Sequence, residues 1–204
     1  MSVGIRIRRG ATIPLKGESE KILSDAAPSE TYALKPDNFF GIVPRLMVKE
    51  GEEIAEGAPV FHCKKDPRIF FVSPVSGRVK EVVRGAKRKI LKIIIEQQVG
   101  DVITHKIPAS KSLSREKIIE ILLKSGAWPF IKQRPYGIIA DPDAIPKAIY
   151  VSTYSSAPLD VDFQFLLKND KEDFQKGIDV LNTLVVSPVI LSVDATYSGF
   201  FEYI

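Results

Sequence analysis

Short apolar segments separated by turn residues fill the chain from about residue 39 to residue 96. Val48, Ile54 and Val60 recur at intervals of six residues, and Gly51 and Gly57 lie between them at the same interval. Because glycine readily adopts the positive φ of tight turns, this spacing predicts two turns that direct three apolar side chains into one core. Further strands are predicted over 70–72, 79–82 and 89–96, from their β-branched and aromatic content.

The pattern changes after residue 113 to one that predicts helices as well as strands. A helix is predicted over 114–126, with Ser114 as its N-cap and Gly126 as its C-terminal stop. Residues 128–146 are rich in proline and are predicted to form turns. The remaining predicted elements are a strand over 147–154, an amphipathic helix over 171–185 and a strand over 189–193. This order predicts a βαβ unit with parallel strands.

The segment with the two glycine turns at Gly51 and Gly57, called here the double-glycine hairpin, is followed by Ser73-Pro74-Val75-Ser76-Gly77. This combination resembles the barrel-sandwich hybrid shared by lipoyl and biotinyl domains. In the biotin carriers a modified lysine precedes the proline within a Met-Lys-Met turn, but the matching position here is Asp66, and no methionine flanks it. Lys65 is one residue out of register and Pro67 alters the turn, so we expect a surface hairpin and not a modified Lys64 or Lys65.

The predicted fold class is α+β with an α/β portion: a lipoyl-like barrel-sandwich hybrid β domain followed by an incomplete Rossmann-like βαβ domain. Residues 1–36 are predicted to be an extended N-terminal segment with an edge strand at residues 5–8, where Ile5 and Ile7 alternate with arginines. The other predicted divisions are the lipoyl-like domain over 37–105, a helix and proline-rich connector over 106–146, and the start of a truncated Rossmann-like domain over 147–204.

The chain has a mild excess of basic residues, 29 Lys and Arg against 25 Asp and Glu. They concentrate at Arg6, Arg8 and Arg9 and again over residues 84–92. The second group is interpreted either as a solvated loop or as a docking patch for an acidic partner or for lipid headgroups. Nucleic acid is not expected as a partner, because no aromatic side chains interleave with these charges.

Few residues suggest metal or redox chemistry. The single cysteine, Cys63, excludes an internal disulfide and a four-cysteine Fe–S cluster within the chain. Its neighbour His62 points to the opposite face if both lie on a strand. Four aspartates form two pairs in proline-rich segments, a pattern typical of turns: Asp141, Asp143, Asp160 and Asp162. The sequence therefore assigns no catalytic, no cofactor-binding and no metal-binding residue. It also contains no apolar run of the roughly 18–20 residues that a transmembrane segment needs.

Several short segments resemble, in their order along the whole chain, the NqrA family, which supplies the A subunit of the Na+-translocating NADH:quinone reductase. They are Arg9-Gly10 with Ile13-Pro14, Val48-Lys49-Glu50-Gly51, Ser73-Pro74-Val75-Ser76-Gly77, Arg84-Gly85-Ala86-Lys87-Arg88, Ser125-Gly126-Ala127-Trp128, Arg134-Pro135 and Pro146-Lys147-Ala148-Ile149. Chains of this family are longer and continue into further domains, so the resemblance implies that this chain is an N-terminal fragment.

The resemblance implies a peripheral component of a complex that oxidises NADH and reduces a quinone such as ubiquinone, coupled to Na+ export. It places the chain on the cytoplasmic face of the bacterial inner membrane, with the other subunits of the complex as partners, the membrane subunits above all. A contribution to the quinone region stays open. The chain is then an enzyme only as part of this translocase, and the isolated fragment is expected to be inactive.

The flavin-binding subunit of respiratory complex I and the C subunit of the Rnf complex look similar in architecture. Those relatives keep a glycine-rich loop after the helix, through which the backbone approaches the FMN phosphate. Here the corresponding stretch is Trp128-Pro129-Phe130-Ile131, whose bulky side chains are expected to fill the space, while Pro129 removes a backbone donor. No glycine occurs between Gly137 and Gly177 to form a second such loop. We therefore expect no cofactor in this fragment, while the complex uses NADH, flavins, Fe–S and quinone on other subunits. The alternatives are an electron-transport protein like the C subunit of Rnf and a lipoyl-like adaptor or scaffold with no redox role.

Overall fold

The computed structural model describes residues 15–17, 20–106, 114–155, 157 and 159–193. The edge strand predicted at residues 5–8, the basic residues Arg6, Arg8 and Arg9, and the segments Arg9-Gly10 and Ile13-Pro14 lie outside the described residues.

Two antiparallel sheets of short strands build the first half of the chain. The strands are β1 (Thr31–Leu34), β2 (Pro44–Leu46), β3 (Glu53–Ile54), β4 (Pro59–Cys63), β5 (Phe70–Val72), β6 (Gly77–Arg84) and β7 (Ile90–Gln97). One sheet has four strands in the order β1-β7-β6-β3, and the other has three in the order β2-β4-β5. The chain therefore passes between the two sheets four times from β1 to β7.

The double-glycine segment folds as its spacing predicts. Gly51 and Gly57 have φ of +83° and +81°, a conformation in which a side chain would be strained. A Cβ on Gly57 would also lie 2.8 Å from the carbonyl oxygen of Ile103. The apolar residues Val48, Ile54 and Val60 are all buried, as predicted. The two turns thus bring the three side chains into one core.

A bulge in β6 explains an irregular apolar spacing. Val79 pairs with Ile95 of β7, whereas Glu81 pairs with the adjacent Ile94, so one residue of β6 has no partner in the ladder. Lys80 and Glu81 are both exposed as a result, and Val79 is fully buried. The extra residue therefore keeps Val79 and the half-buried Val82 inward although they are three positions apart.

Strand β1 completes the larger sheet. The sequence places residues 31–34 in the N-terminal extended segment, but in the structure Thr31 to Leu34 pair with Glu96 to Ile93 of β7. These residues belong structurally to the β domain.

Aromatic packing fills the space between the sheets. Phe61 is fully buried and stacks on Phe71, with ring centroids 4.4 Å apart and planes 13° from parallel. Phe39 meets the edge of Phe71 at 4.6 Å. The other fully buried apolar side chains of this domain include Val60, Val79, Ile93 and Ile95. Both sheets contribute to this group, so the core holds them together.

The second half combines three helices, a short hairpin and a parallel strand pair. Helix α1 (Arg115–Lys124) begins as predicted, because the Ser114 side chain accepts a hydrogen bond from the Lys117 N–H. The other elements are β8 (Lys132–Gln133), β9 (Ile138–Ile139), β10 (Tyr150–Ser152), α2 (Phe163–Leu166), α3 (Lys171–Asn182) and β11 (Ile190–Ser192). Strands β10 and β11 pair in parallel, which confirms the predicted βαβ unit.

Some elements of the second half were not predicted. A single 3-10 turn at Trp128–Phe130 and the hairpin of β8 and β9 interrupt the stretch that was expected to contain only turns. Helix α2 precedes α3 as a separate element. In the part of the chain that the structure describes, no helix has the length and apolar character needed to cross a bilayer.

Replacing Phe61 with alanine tests the inter-sheet core. Because its ring is fully buried and stacked, we expect the free energy of unfolding to fall by about 3–5 kcal/mol. Denaturant unfolding followed by circular dichroism measures this change. Phe40→Ala is the matched control: its side chain is 71% exposed, so its effect should stay within about 0.5 kcal/mol. Equal effects of the two substitutions would contradict the core assignment.

Candidate functional site

A groove of about 520 Å³ separates the β4–β5 hairpin from α1 and the connector that follows it. Its lining combines an apolar floor with a charged rim. The lining residues are Pro67, Arg68, Phe70, Arg115, Glu116, Ile119, Glu120, Leu123, Lys124, Pro142 and Asp143. Concave sites of this volume and mixed lining are typical of small-ligand sites in proteins.

One wall of the groove is the tip of the β4–β5 hairpin. The Asp66 carboxylate accepts a hydrogen bond from the Arg68 backbone N–H at 3.0 Å, and the Asp66 carbonyl accepts one from the Ile69 N–H at 3.2 Å. An aspartate that binds the backbone two residues ahead fixes a turn locally. Lys64 and Lys65, the lysines weighed against a modified position, are both exposed on this tip.

Arg68 joins the hairpin to the connector. Its guanidinium donates to both oxygens of Asp143, at 2.9 Å from Nη1 and 2.7 Å from Nη2. The same group also donates to Asp66, with Nη2 at 2.7 Å from Oδ2. The planar guanidinium can bind two carboxylates at once, because its N–H donors point in fixed directions on two sides. The Asp66–Arg68–Asp143 cluster therefore sets the width of the groove at this end.

This cluster shifts the pKa values of its members. Hydrogen bonding from Arg68 holds the pKa of Asp66 and that of Asp143 below their ordinary range. The hydrogen bonds from Asp143 and Asp66 in turn raise the pKa of Arg68. All three groups are thus charged at neutral pH. Since Asp143 and Arg68 face solvent, screening keeps their contribution to stability small.

Arg115 fixes the other wall. It begins α1, and its Nη2 donates to the Ala144 carbonyl at 2.9 Å, while its Nε donates to the Leu184 carbonyl at 3.4 Å. Further along the helix, Lys124 pairs with Glu120 at 2.6 Å. Helix α1 is therefore tied both to the connector and to the end of α3.

The segment that follows α1 is closely packed. The Trp128 side chain is buried, and its Nε1 donates to the Ala140 carbonyl at 2.8 Å. Gly126 has φ of +72°, and a Cβ there would lie 2.7 Å from the Val72 side chain. Pro129 is also buried, whereas Phe130 is 72% exposed and its ring meets Phe39 at 5.9 Å. Trp128 therefore fills the space after α1 as expected, whereas Phe130, which was also expected to fill it, points outward.

The backbone N–H groups of this segment are used in hydrogen bonds to nearby carbonyls of the chain. The N–H groups of Gly126, Ala127, Phe130 and Ile131 donate to carbonyls of Leu123, Leu122, Ala127 and Trp128. Pro129 has no N–H to donate. A phosphate cradle needs several backbone N–H groups pointing at the anion, and these residues do not supply it.

The N-terminus of α2 is likewise bound by a side chain of the protein itself. Asp162 caps α2, since its carboxylate accepts from the Phe165 N–H at 3.1 Å. The same carboxylate pairs with Lys21 at 2.8 Å, and that pairing lowers the pKa of Asp162. In the loop from β10 to α2 it is Leu159, not a glycine, that takes a positive φ of +61°.

The aspartate pairs, His62 and Cys63, which the sequence offers as candidate metal ligands, do not form a common site in the described structure. Asp143 donates through its backbone N–H to the Asp141 side chain at 3.0 Å, which is turn chemistry as expected. Cys63 is buried, and the Nδ1 of His62 lies 3.1 Å from the Cys63 carbonyl oxygen. Among the residues with described positions, no group of three or more His, Cys, Asp or Glu side chains could hold a metal ion.

Sequence reasoning missed the Asp66–Arg68–Asp143 cluster. The local signal was present in Asp66-Pro67-Arg68, because an aspartate two residues before an arginine in a tight turn favours their pairing. The third member, Asp143, is 75 positions away from Arg68 along the chain, so that no local pattern identifies it.

Two packed antiparallel sheets between which the chain passes repeatedly, followed by a helix and a parallel βαβ unit, define a barrel-sandwich hybrid domain joined to an α/β domain. Residues 5–98 match the NqrA N-terminal barrel-sandwich hybrid domain, and residues 113–200 match the NqrA second alpha/beta domain. The chain therefore belongs to the NqrA family.

Curated relatives agree with this assignment. The chain is 33% identical to the A subunit of the Na(+)-translocating NADH-quinone reductase of Neisseria gonorrhoeae over 183 residues. This aligned region covers 88% of this chain and 41% of the relative. It is 32% identical over 188 residues to the protein of that name from Photorhabdus laumondii, covering 91% of this chain and 42% of the relative. The chain thus spans about two fifths of the length of these relatives.

Replacing Arg68 with glutamine tests the cluster through the pH dependence of stability. The folded-state pKa of Asp66 and that of Asp143 lie below the ordinary value of about 3.9. Their stabilisation is therefore complete above that value and is lost as the pH falls through the folded-state pKa. We expect Arg68→Gln to be less stable than the parent chain above about pH 5, with a difference that shrinks in more acidic solution.

Thermal unfolding recorded across this pH range measures the effect. Lys65→Gln on the same hairpin is the matched control, because it removes one positive charge without removing the Arg68 ion pairs. A difference for Arg68→Gln that stays constant down to strongly acidic pH would show that the carboxylates are not involved.

Proposed function

We propose that this chain is a peripheral component of a Na+-pumping NADH:quinone oxidoreductase, where it docks on the membrane subunits at the cytoplasmic face. The observation that carries the proposal is the presence of both NqrA domains in sequence order, over residues 5–98 and 113–200. The relatives, each named as the A subunit of the Na(+)-translocating NADH-quinone reductase, support the same assembly.

The proposed role of this chain is structural within the electron-transfer complex, without a flavin, Fe–S or NADH site of its own. Three observations support this. The backbone after α1 directs its N–H groups to its own carbonyls, Asp162 occupies the start of α2, and Cys63 alone cannot ligate a cluster. Electron transfer needs a redox centre, so the isolated chain is expected neither to oxidise NADH nor to show flavin absorption.

Association with the membrane subunits is the decisive measurement. We expect the full-length protein containing this chain to co-purify with tagged membrane subunits from detergent-solubilised membranes of its native host. An unrelated lipoyl domain from the same host, expressed at the same level, serves as the control for adhesion of a similar fold. If the full-length protein is recovered no better than this control, the proposed assembly is wrong.

We propose further that the groove contributes to the quinone region. A quinone ring is flat and apolar and carries carbonyl oxygens that accept hydrogen bonds. Phe70, Ile119 and Leu123 line the groove with apolar surface. The Arg115 guanidinium has five N–H donors, of which the described contacts to Ala144 and Leu184 use two. An apolar floor beside an arginine with donors to spare matches this chemistry.

Tryptophan fluorescence can report quinone binding directly, since Trp128 is the only tryptophan of the chain and shares a buried cluster with Leu123. We expect a short-chain ubiquinone to quench this fluorescence saturably. Ile119→Ser should weaken the apparent affinity by roughly tenfold, because it removes apolar contact from the groove.

Val99→Ser is the matched control, since Val99 is fully exposed and does not line the groove. Quenching that is linear in quinone, or that Ile119→Ser leaves unchanged, would contradict the groove proposal while leaving the proposed assembly intact.

A further inference from the structure

The tip of the β6–β7 hairpin concentrates positive charge on an exposed part of the described structure. Residues 84–92 contain five cationic side chains and no acidic one. They are Arg84, Lys87, Arg88, Lys89 and Lys92, and all except the half-buried Lys92 are exposed. We call these residues the basic tip.

The turn at the basic tip has a conformation that its residues disfavour. The Lys89 N–H donates to the Ala86 carbonyl at 3.2 Å, so residues 86–89 form a tight turn. Its central residues Lys87 and Arg88 have φ of +55° and +61°. Positive φ at both central positions is characteristic of a type I′ turn, in which Asn-Gly is strongly preferred.

A lysine and an arginine at these positions strain the backbone, and such strain persists where function requires it. Turn stability alone would favour Asn-Gly over Lys87-Arg88. The sequence instead places two charges at the end of the hairpin. This conflict between turn preference and sequence indicates that the charges themselves are used.

The acidic groups nearby do not neutralise the basic tip. Lys89 pairs with Asp37 at 2.8 Å, and this is the only ion pair of the basic tip with a described residue. Glu50 lies further back, where its Oε1 accepts from the Val82 N–H at 2.7 Å, and Glu81 lies on the strand behind. Lys35 adds a positive charge at this end of the sheet, since it follows Leu34, the β1 partner of Ile93.

This end of the sheet therefore presents six cationic side chains against three carboxylates. The charged groups are Lys35, Arg84, Lys87, Arg88, Lys89 and Lys92 against Asp37, Glu50 and Glu81. The cations lie toward the turn and two of the carboxylates lie behind them, so a planar anionic surface can approach the cations first.

An apolar side chain accompanies the charges. Leu91 is 40% exposed and packs over Gly85, whose added Cβ would meet it at 3.2 Å. Cations beside an exposed leucine suit the boundary between lipid headgroups and acyl chains. No aromatic residue lies within residues 84–92 to stack on a nucleic-acid base.

We propose that the basic tip binds the phosphate headgroups of anionic lipids at a membrane surface. This inference goes beyond the proposed function and does not depend on it, because lipid binding by the chain requires no other subunit.

Vesicle co-sedimentation of the chain tests the proposal. The chain should bind vesicles that contain phosphatidylglycerol in phosphatidylcholine, and not vesicles of phosphatidylcholine alone. The double substitution Lys87→Asn with Arg88→Gly should lower the partition coefficient by about 25-fold, roughly fivefold for each charge removed near the surface. Raising the salt concentration to about 1 M, where the Debye length falls to roughly 3 Å, should abolish binding of the parent chain.

The same substitution has an opposite effect on stability. Asn-Gly suits the turn, so we expect the Tm to rise by about 2–4 °C while lipid binding falls. A variant that is more stable and binds less cannot owe its loss of binding to unfolding. Lys64→Asn with Lys65→Asn is the matched control, because it removes the same charge from another exposed hairpin.

The remaining outcomes overturn the proposal. If the control binds as weakly as the test variant, net charge and not the basic tip is responsible. Equal binding to neutral and anionic vesicles would exclude headgroup recognition. If the test variant binds vesicles normally but no longer co-purifies with the membrane subunits, the partner of the basic tip is an acidic protein surface and not lipid.

Discussion

Apolar packing between the two β sheets is the constraint on which the rest of the structure depends. Apart from β6 and β7, the strands have only two to five residues, and such strands make few ladder hydrogen bonds. Phe61 and Phe71 from the smaller sheet meet Val79, Ile93 and Ile95 from the larger one within one buried cluster. Removal of this surface from water therefore holds the short strands of both sheets together.

The same cluster extends into the second half of the chain. Ile118 and Leu123 of α1, then Trp128, and finally Val180 and Leu184 belong to it. Both walls of the groove are consequently anchored in one core, and the polar ends of those walls are fixed by Arg68 and Arg115. Many of the polar groups around the groove are committed to contacts within the chain. This arrangement agrees with the structural role proposed above for the chain.

Features that depend on neighbouring residues were predictable from the sequence. The burial of Ile54 between two glycine turns and the cap at Ser114 follow from local stereochemistry. Contacts between distant segments were not predictable. The pairing of Thr31–Leu34 with β7 and the Arg68 to Asp143 ion pair join residues that no periodicity connects. Phe130 likewise contacts Phe39, a residue far away in sequence.

The continuity of the core also has a geometrical consequence. Helix α1 is bound at Arg115 to carbonyls of the connector and of Leu184 beyond α3, and its apolar face enters the cluster that holds β6 and β7. The groove and the end of the β6–β7 hairpin therefore belong to a single packed unit. If the hairpin rests on a flat boundary, as proposed, the direction in which the groove opens is decided as well.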